Sequence, residues 1–304
     1  MIKQKKRYAF KAYDNRKEEQ VMATIQIITD AGADLTKKEQ EAYGIDVIPI
    51  RITADETEYL SGVDMFSDEF YALLEKSAEI PRTSQPTTQE IYDIFRRHID
   101  AGKEILAISL SADASGIHNN MHLAKSMILE ETPGAVIEIV NSGRFAYIYG
   151  KASILASKLA EDGCEMDEII KKVNAFMDGY GVFAIPQSLV YLEKGGRINK
   201  ASLIFGNMLD ISPVLTIQNG LMEAVGKVRG RKKLAKKMVQ YLKEHAPDQT
   251  GKHLIVVHGK MEEETEELKT LLLETYPDAT LETAKVGPTI ATHIGPVFAV
   301  FYEK

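Results

Sequence analysis

The sequence predicts an α/β protein of two domains, the first layered on a mainly parallel sheet and the second built on a mixed sheet. Three observations carry that expectation. After Met22, short runs rich in β-branched residues alternate with amphipathic helical segments. Several early runs are apolar on both faces, as parallel strands covered by helices on each side must be. The second half places Asn219–Gly220 between two strand-like runs, the mark of an antiparallel hairpin. A length of 304 residues, at roughly 100–200 per domain, agrees with two units, drawn at 22–163 and 164–304.

The elements follow in order. Thr24–Thr29, Asp46–Ile52, Glu104–Leu110 and Ala135–Val140 read as strands of the first unit. The segment from Ser67 reads as a helix with Ser67 as its N-cap and Asp68 and Glu69 in its first turn. The segment from Thr87 opens with a Thr87–Glu90 capping box and stops at Gly102. Residues 116–131 and 144–163 are longer helices with an apolar stripe. Past Gly163 come a helix over 166–181, a tight basic glycine loop within 182–200 and the hairpin over 212–228. A basic helix from Arg229 to His245 leads into a strand, a helix and a strand over 253–287. From Gly287 the chain reads as a polar loop bearing Gly and Pro, then a last strand.

Composition excludes several classes. Hydrophobic residues make up 44% and charged residues 27%, ordinary globular usage that rules out wholesale disorder. With 44 acidic against 37 basic residues the net charge is −7, which disfavours generic nucleic-acid binding. A single cysteine, Cys164, excludes an internal disulfide and a multi-thiolate metal site. No apolar run approaches the roughly 18 residues of a membrane span, so a cytoplasmic protein with at most transient membrane contact is expected. Residues 1–21 carry seven Lys or Arg against three Asp or Glu, a local net of +4 that leaves −11 on the rest. They read as a disordered basic extension, or an arm for an acidic partner, outside the fold.

Four motifs carry candidate chemistry. In Pro81–Thr87, Thr83, Ser84 and the amides of the following helix could receive an anion. In Ile108–Asn120, a buried strand runs into a loop in which Ser115 and Gly116 open a helix; ligands of open α/β sheets sit at such strand ends, and Gly116 admits a close approach. His293 lies between two Gly-Pro pairs, where it can donate a hydrogen bond to a carboxylate or act as a base. Arg197 sits on a glycine loop with a planar fork suited to phosphate or carboxylate. Each also has an ordinary structural explanation: capping for the hydroxyls, backbone partners for His293 and solvation for Arg197. His118 and His122 are spaced i,i+4 but show no third metal ligand in sequence. A hydrolase could be assembled from Ser115, His293 and Asp30, although no G-x-S-x-G elbow exposes the serine. No P-loop or G-x-G-x-x-G pattern supports a nucleotide cofactor.

Taken in order, T-S-Q-P at 83–86, S-x-x-x-S-G at 111–116, Y-L-E-K-G-G-R-I at 191–198 and H-I-G-P at 293–296 resemble the DegV family, the fatty-acid-binding proteins that serve bacterial fatty acid kinases. The resemblance spans about residues 24–302. It implies two α/β domains with a long-chain fatty acid held between them and its carboxyl bound by Thr83, Ser115 and His293, with Ser84 and Gly116 beside them. It implies that Arg197 engages a separate ATP-dependent kinase, which makes an acyl phosphate for phospholipid synthesis. The protein itself would then be non-catalytic and need no cofactor. Two hydroxyls and an imidazole would bind the head without a fixed positive charge. A lipid or ester hydrolase and a lipid-sensing regulator remain the other readings. The sequence departs from the family pattern at Ala31, Ile117, Asn141 and Val297, which bears on acyl preference and kinase coupling. Lys194, Arg197, Lys200 and the helix after Arg229 form a basic surface suited to an acidic partner or to solvent.

Overall fold

The computed structural model describes residues 24–188, 190–198 and 211–304; the basic extension and Lys200 lie outside the described residues. Four parallel strands form the first sheet: β1 (Ile25–Asp30), β2 (Asp46–Ile48), β6 (Glu104–Ser109) and β7 (Ile137–Asn141), in the order β2-β1-β6-β7. Ile27, Ile28 and Ile105–Ile108 are buried regardless of which face they occupy, because helices cover the sheet. α3 (Thr88–Asp100) and α4 (Ile117–Glu131) pack together against β6 and β7, and α5 (Tyr147–Glu161) packs on β1. The Thr87–Glu90 capping box is formed, and a second, Thr36–Glu39, starts α1 (Lys37–Ala42).

The run Asp46–Ile52 is not one strand. Pro49 has no N–H and cannot continue a central ladder, so the chain leaves the parallel sheet there. β3 (Ile50–Ala54) joins a separate antiparallel sheet with β4 (Thr57–Ser61) and β5 (Arg82–Ser84), in the order β4-β3-β5. Ser67 also differs from expectation. It is the first residue of α2 (Ser67–Leu74), and its hydroxyl donates to the Val286 carbonyl at 2.8 Å instead of capping.

The third sheet has six strands in the order β10-β9-β8-β13-β11-β12. These are β8 (Tyr180–Pro186), β9 (Ile211–Gln218), β10 (Leu221–Arg229), β11 (His253–Gly259), β12 (Thr280–Lys285) and β13 (Val297–Glu303). Only β11 and β12 run parallel, so the sheet is mixed. Asn219 and Gly220 turn the β9–β10 hairpin with φ of 50° and 71°, as a type I′ turn requires. β13 shows what the sheet does: Phe298, Val300 and Tyr302 face α8 (Leu234–His245) and α9 (Glu262–Thr275), while Val297, Ala299 and Phe301 face the first half of the chain. Arg229 ends β10, and a 3-10 turn (Arg231–Lys233) separates it from α8. α6 (Met166–Asp178) follows α5 and packs against it and β8.

The largest difference from the sequence reading lies near the C-terminus. Residues 288–294 are not a loop but a buried helix, α10 (Pro288–Ile294), with Pro288 at its start and Gly295 at φ 68° just past its end. Its buried threonines are bonded, Thr289 Oγ1 to Ser61 Oγ at 2.9 Å and Thr292 Oγ1 to the Pro288 carbonyl at 2.8 Å. α10 packs against α2, β3, β5 and α7 (Val190–Gly195), so it inserts among elements of the first half.

Candidate functional site

β5 and α10 bring together residues 210 positions apart: Thr83 Oγ1 and His293 Nε2 lie 2.9 Å from each other. β5 pairs with β3 through Ile52–Thr83 and Arg51–Ser84. Successive strand residues point to opposite faces, so Thr83 turns inward and Ser84 is exposed, away from the cavity. The start of α3 is capped internally, the Glu90 N–H donating to Thr87 Oγ1 while the Glu90 carboxylate accepts the Thr87 N–H and pairs with Arg51. The residue that does join Thr83 is Gln85, two positions on.

Ser115 comes from the loop after β6, where its Oγ accepts the Ile117 N–H at 3.3 Å and its side chain lines the cavity. Gly116, the N-cap of α4, does not line it. A Cβ there would lie 2.5 Å from Gln85 Oε1, so the bare glycine admits the Gln85 amide rather than a ligand. Asn141 shapes the same loop, its Oδ1 accepting the Ala112 and Gly143 N–H groups at 3.1 and 3.0 Å. Ile117 is fully buried in the core.

Arg197 is not a solvated surface charge. Its Nε donates to the Ala114 carbonyl at 3.2 Å and its Nη1 to the Gly195 carbonyl at 2.6 Å, and it lines the cavity. The head of the site therefore contains a fixed positive charge, contrary to the sequence reading. Gly195 is needed for close approach, since a Cβ would sit 2.9 Å from His293 Nδ1. Burial first, and the Arg197 charge second, lower the His293 pKa to about 4, so the imidazole is neutral at pH 7. Nε2 lies within hydrogen-bond distance of Thr83 Oγ1, and the ring tautomer sets which of the two donates.

The pH consequence has a definite sign. Between about pH 6.5 and pH 4 the unfolded chain protonates His293 while the folded site resists it, so stability falls as pH falls through that window. At about 1.4 kcal/mol per pH unit the loss is roughly 3 kcal/mol. Urea unfolding at pH 7 and 4.5 should show a clearly smaller loss for His293→Gln than for the parent; equal losses would contradict the assignment.

These residues surround a cavity. It shares Phe145, Met222 and Ile290 with a second compartment, whose wall is apolar except for Thr216. Inner-face residues of β8, β9, β11 and β13, including Ala184, Ile217, Val257 and Phe301, form that wall together with Ile294 of α10. Val297 belongs to it and narrows this compartment. Ala146, also in the wall, holds φ 62° and ψ −161°, a costly conformation outside glycine, in the turn that sets Phe145 at the junction. On the other side, Thr83, Arg197 and His293 also border an open groove containing Arg82 and Lys194. The arrangement is one polar shelf between a dry pocket and a cationic mouth.

A Ser115–His293–Asp30 triad is not assembled. The buried Asp30 carboxylate accepts the Gly32 and Leu110 N–H groups and the Tyr149 hydroxyl at 2.7–2.9 Å. Among the described residues His293 bonds Thr83 and neither Ser115 nor Asp30.

The model of the DegV family, described as uncharacterised proteins, matches residues 24–304. The chain belongs to the DegV family. A DegV domain-containing protein of Clostridium perfringens is 30% identical over 271 residues, covering 89% of this chain and 95% of that one. Among solved structures, a fatty-acid-binding DegV protein of Streptococcus agalactiae is 28% identical with a TM-score of 0.80, covering 93% of this chain and 99% of that one. A stearic-acid-binding protein of Eubacterium ventriosum is 27% identical with a TM-score of 0.81, covering 92% and 98%. The DegV fold, a parallel sheet in the first half and a mixed sheet in the second, is the one expected. Among the described residues no helix is long and apolar enough to cross a membrane.

Proposed function

We propose that this DegV protein carries one long-chain fatty acid in the cytoplasm and presents its carboxylate to a separate ATP-dependent kinase. The observation that carries the reading is a polar compartment that shares wall residues Phe145, Met222 and Ile290 with an apolar one. A tail of about 15 methylenes at ~0.8 kcal/mol each provides on the order of 12 kcal/mol before binding costs. The head then needs only orientation, and Thr83, Ser115, Gln85, Arg197 and His293 supply it. Relatives that bind fatty acids, stearic acid among them, support the ligand class.

The carboxylate sits where the shelf meets the cationic groove, so a kinase reaching through that groove can bring the γ-phosphate of ATP to it. A carboxylate oxygen attacks phosphorus, ADP leaves, and the acyl phosphate remains on the carrier to feed phospholipid synthesis. Arg197 is placed both to hold the head and to face the partner. Incubating the palmitate-loaded protein with a purified fatty acid kinase and ATP, then trapping with hydroxylamine, should yield acyl hydroxamate only when both proteins are present. Loaded protein that yields none would overturn the kinase role while leaving carriage intact.

A further inference from the structure

We propose that His118 and His122 form a two-imidazole site for a borderline transition-metal ion of the Zn²⁺ and Ni²⁺ class. The proposal is independent of the fatty-acid reading. The two residues are one turn apart on α4, and their rings stand 4.7 Å apart, centroid to centroid, at 74°. The i,i+4 spacing is the one by which a helix presents two imidazoles to one ion. His118 is half-buried and His122 is exposed, so an ion reaches the pair from solvent.

The surroundings favour the ligating form of His118. Its Nδ1 lies 2.9 Å from Ser109 Oγ, and that hydroxyl also reaches the Val140 carbonyl at 3.3 Å. With the hydroxyl proton given to Val140, Nδ1–H donates to Ser109 and Nε2 keeps its lone pair. This is the outer partner that metal-binding histidines use to fix tautomer and ring orientation. No hydrogen bond occupies the His122 ring among the described residues, and farther along α4 Lys125 is paired with Glu138 at 3.5 Å. Among the described residues no group of three or more His, Cys, Asp or Glu gathers around one point, so water completes the coordination. Imidazole ligands without carboxylates select Zn²⁺, Ni²⁺ or Cu²⁺ over Mg²⁺ or Ca²⁺. The site lies in the first turns of α4, just past the loop that carries Ser115, so an occupying ion stiffens the start of the helix behind that loop.

Calorimetric titration of the untagged full chain with Zn²⁺ at pH 7.5 should show one saturable site and no response to Mg²⁺. His122→Gln, at an exposed position, should weaken Zn²⁺ at least tenfold, in line with the 10–100-fold typical even of lost outer partners. His118→Gln should do the same, while His245→Gln, also exposed but on α8, should leave the affinity unchanged. Affinity should fall as pH falls, because protons compete with the ion for the imidazole nitrogens. Absence of a saturable site, or a site that persists in His122→Gln, would overturn the proposal.

Discussion

Ala184→Phe is expected to lower palmitate affinity about a hundredfold while leaving octanoate affinity unchanged. Ala184 lies on the inner face of β8, opposite Leu215 and Ala299, and lines the apolar compartment. A ring placed there displaces about four methylenes, and at ~0.8 kcal/mol each that is roughly 3 kcal/mol, or about two decades of affinity. Octanoate ends before the obstruction and needs only the shelf. Ile217→Trp fills the same compartment from β9 and should reproduce the effect, which separates a blocked pocket from a misfolded strand. Unchanged palmitate affinity in both variants would place the tail elsewhere.

The second large effect belongs to the head. His293→Ala and Thr83→Val should each reduce fatty-acid affinity roughly 10–100-fold, because hydrogen bonds to a charged group contribute about 1.5–3 kcal/mol. The two residues touch, so the double variant should lose less than the product of the single losses. Arg197→Ala should also raise the His293 pKa, because it removes a positive charge that lowers it, although burial still holds it below the ordinary value. Histidine titration followed by NMR checks that direction; an unchanged or lower value would mean that Arg197 does not face the ring.

Much of this was legible in the sequence because it depends on local chemistry. Alternating β-branched runs, the Thr87–Glu90 box and the Asn219–Gly220 turn each specify their element with little help from the rest of the chain. The ordered motifs pointed to Thr83, Ser115, Arg197 and His293, and the fold gathers these four around one cavity. What escaped depends on tertiary packing. α10 has seven residues and is buried nearly all round, so it has no amphipathic stripe to read. β4 and β5 are short and exposed at several positions and exist only because Pro49 sends β3 out of the parallel sheet. The sequence reading names Ser84 and not Gln85, because the sheet that sets the strand phase is invisible there. Met222 and Ile290 are ordinary apolar residues whose place at the compartment junction follows from docking the two halves.

Native mass spectrometry of the purified protein, followed by denaturing extraction, tests the central claim most directly. The account predicts one long-chain fatty acid per chain, released intact on denaturation and absent or shortened in Ala184→Phe. A protein that carries no adduct and takes up no added palmitate would contradict it.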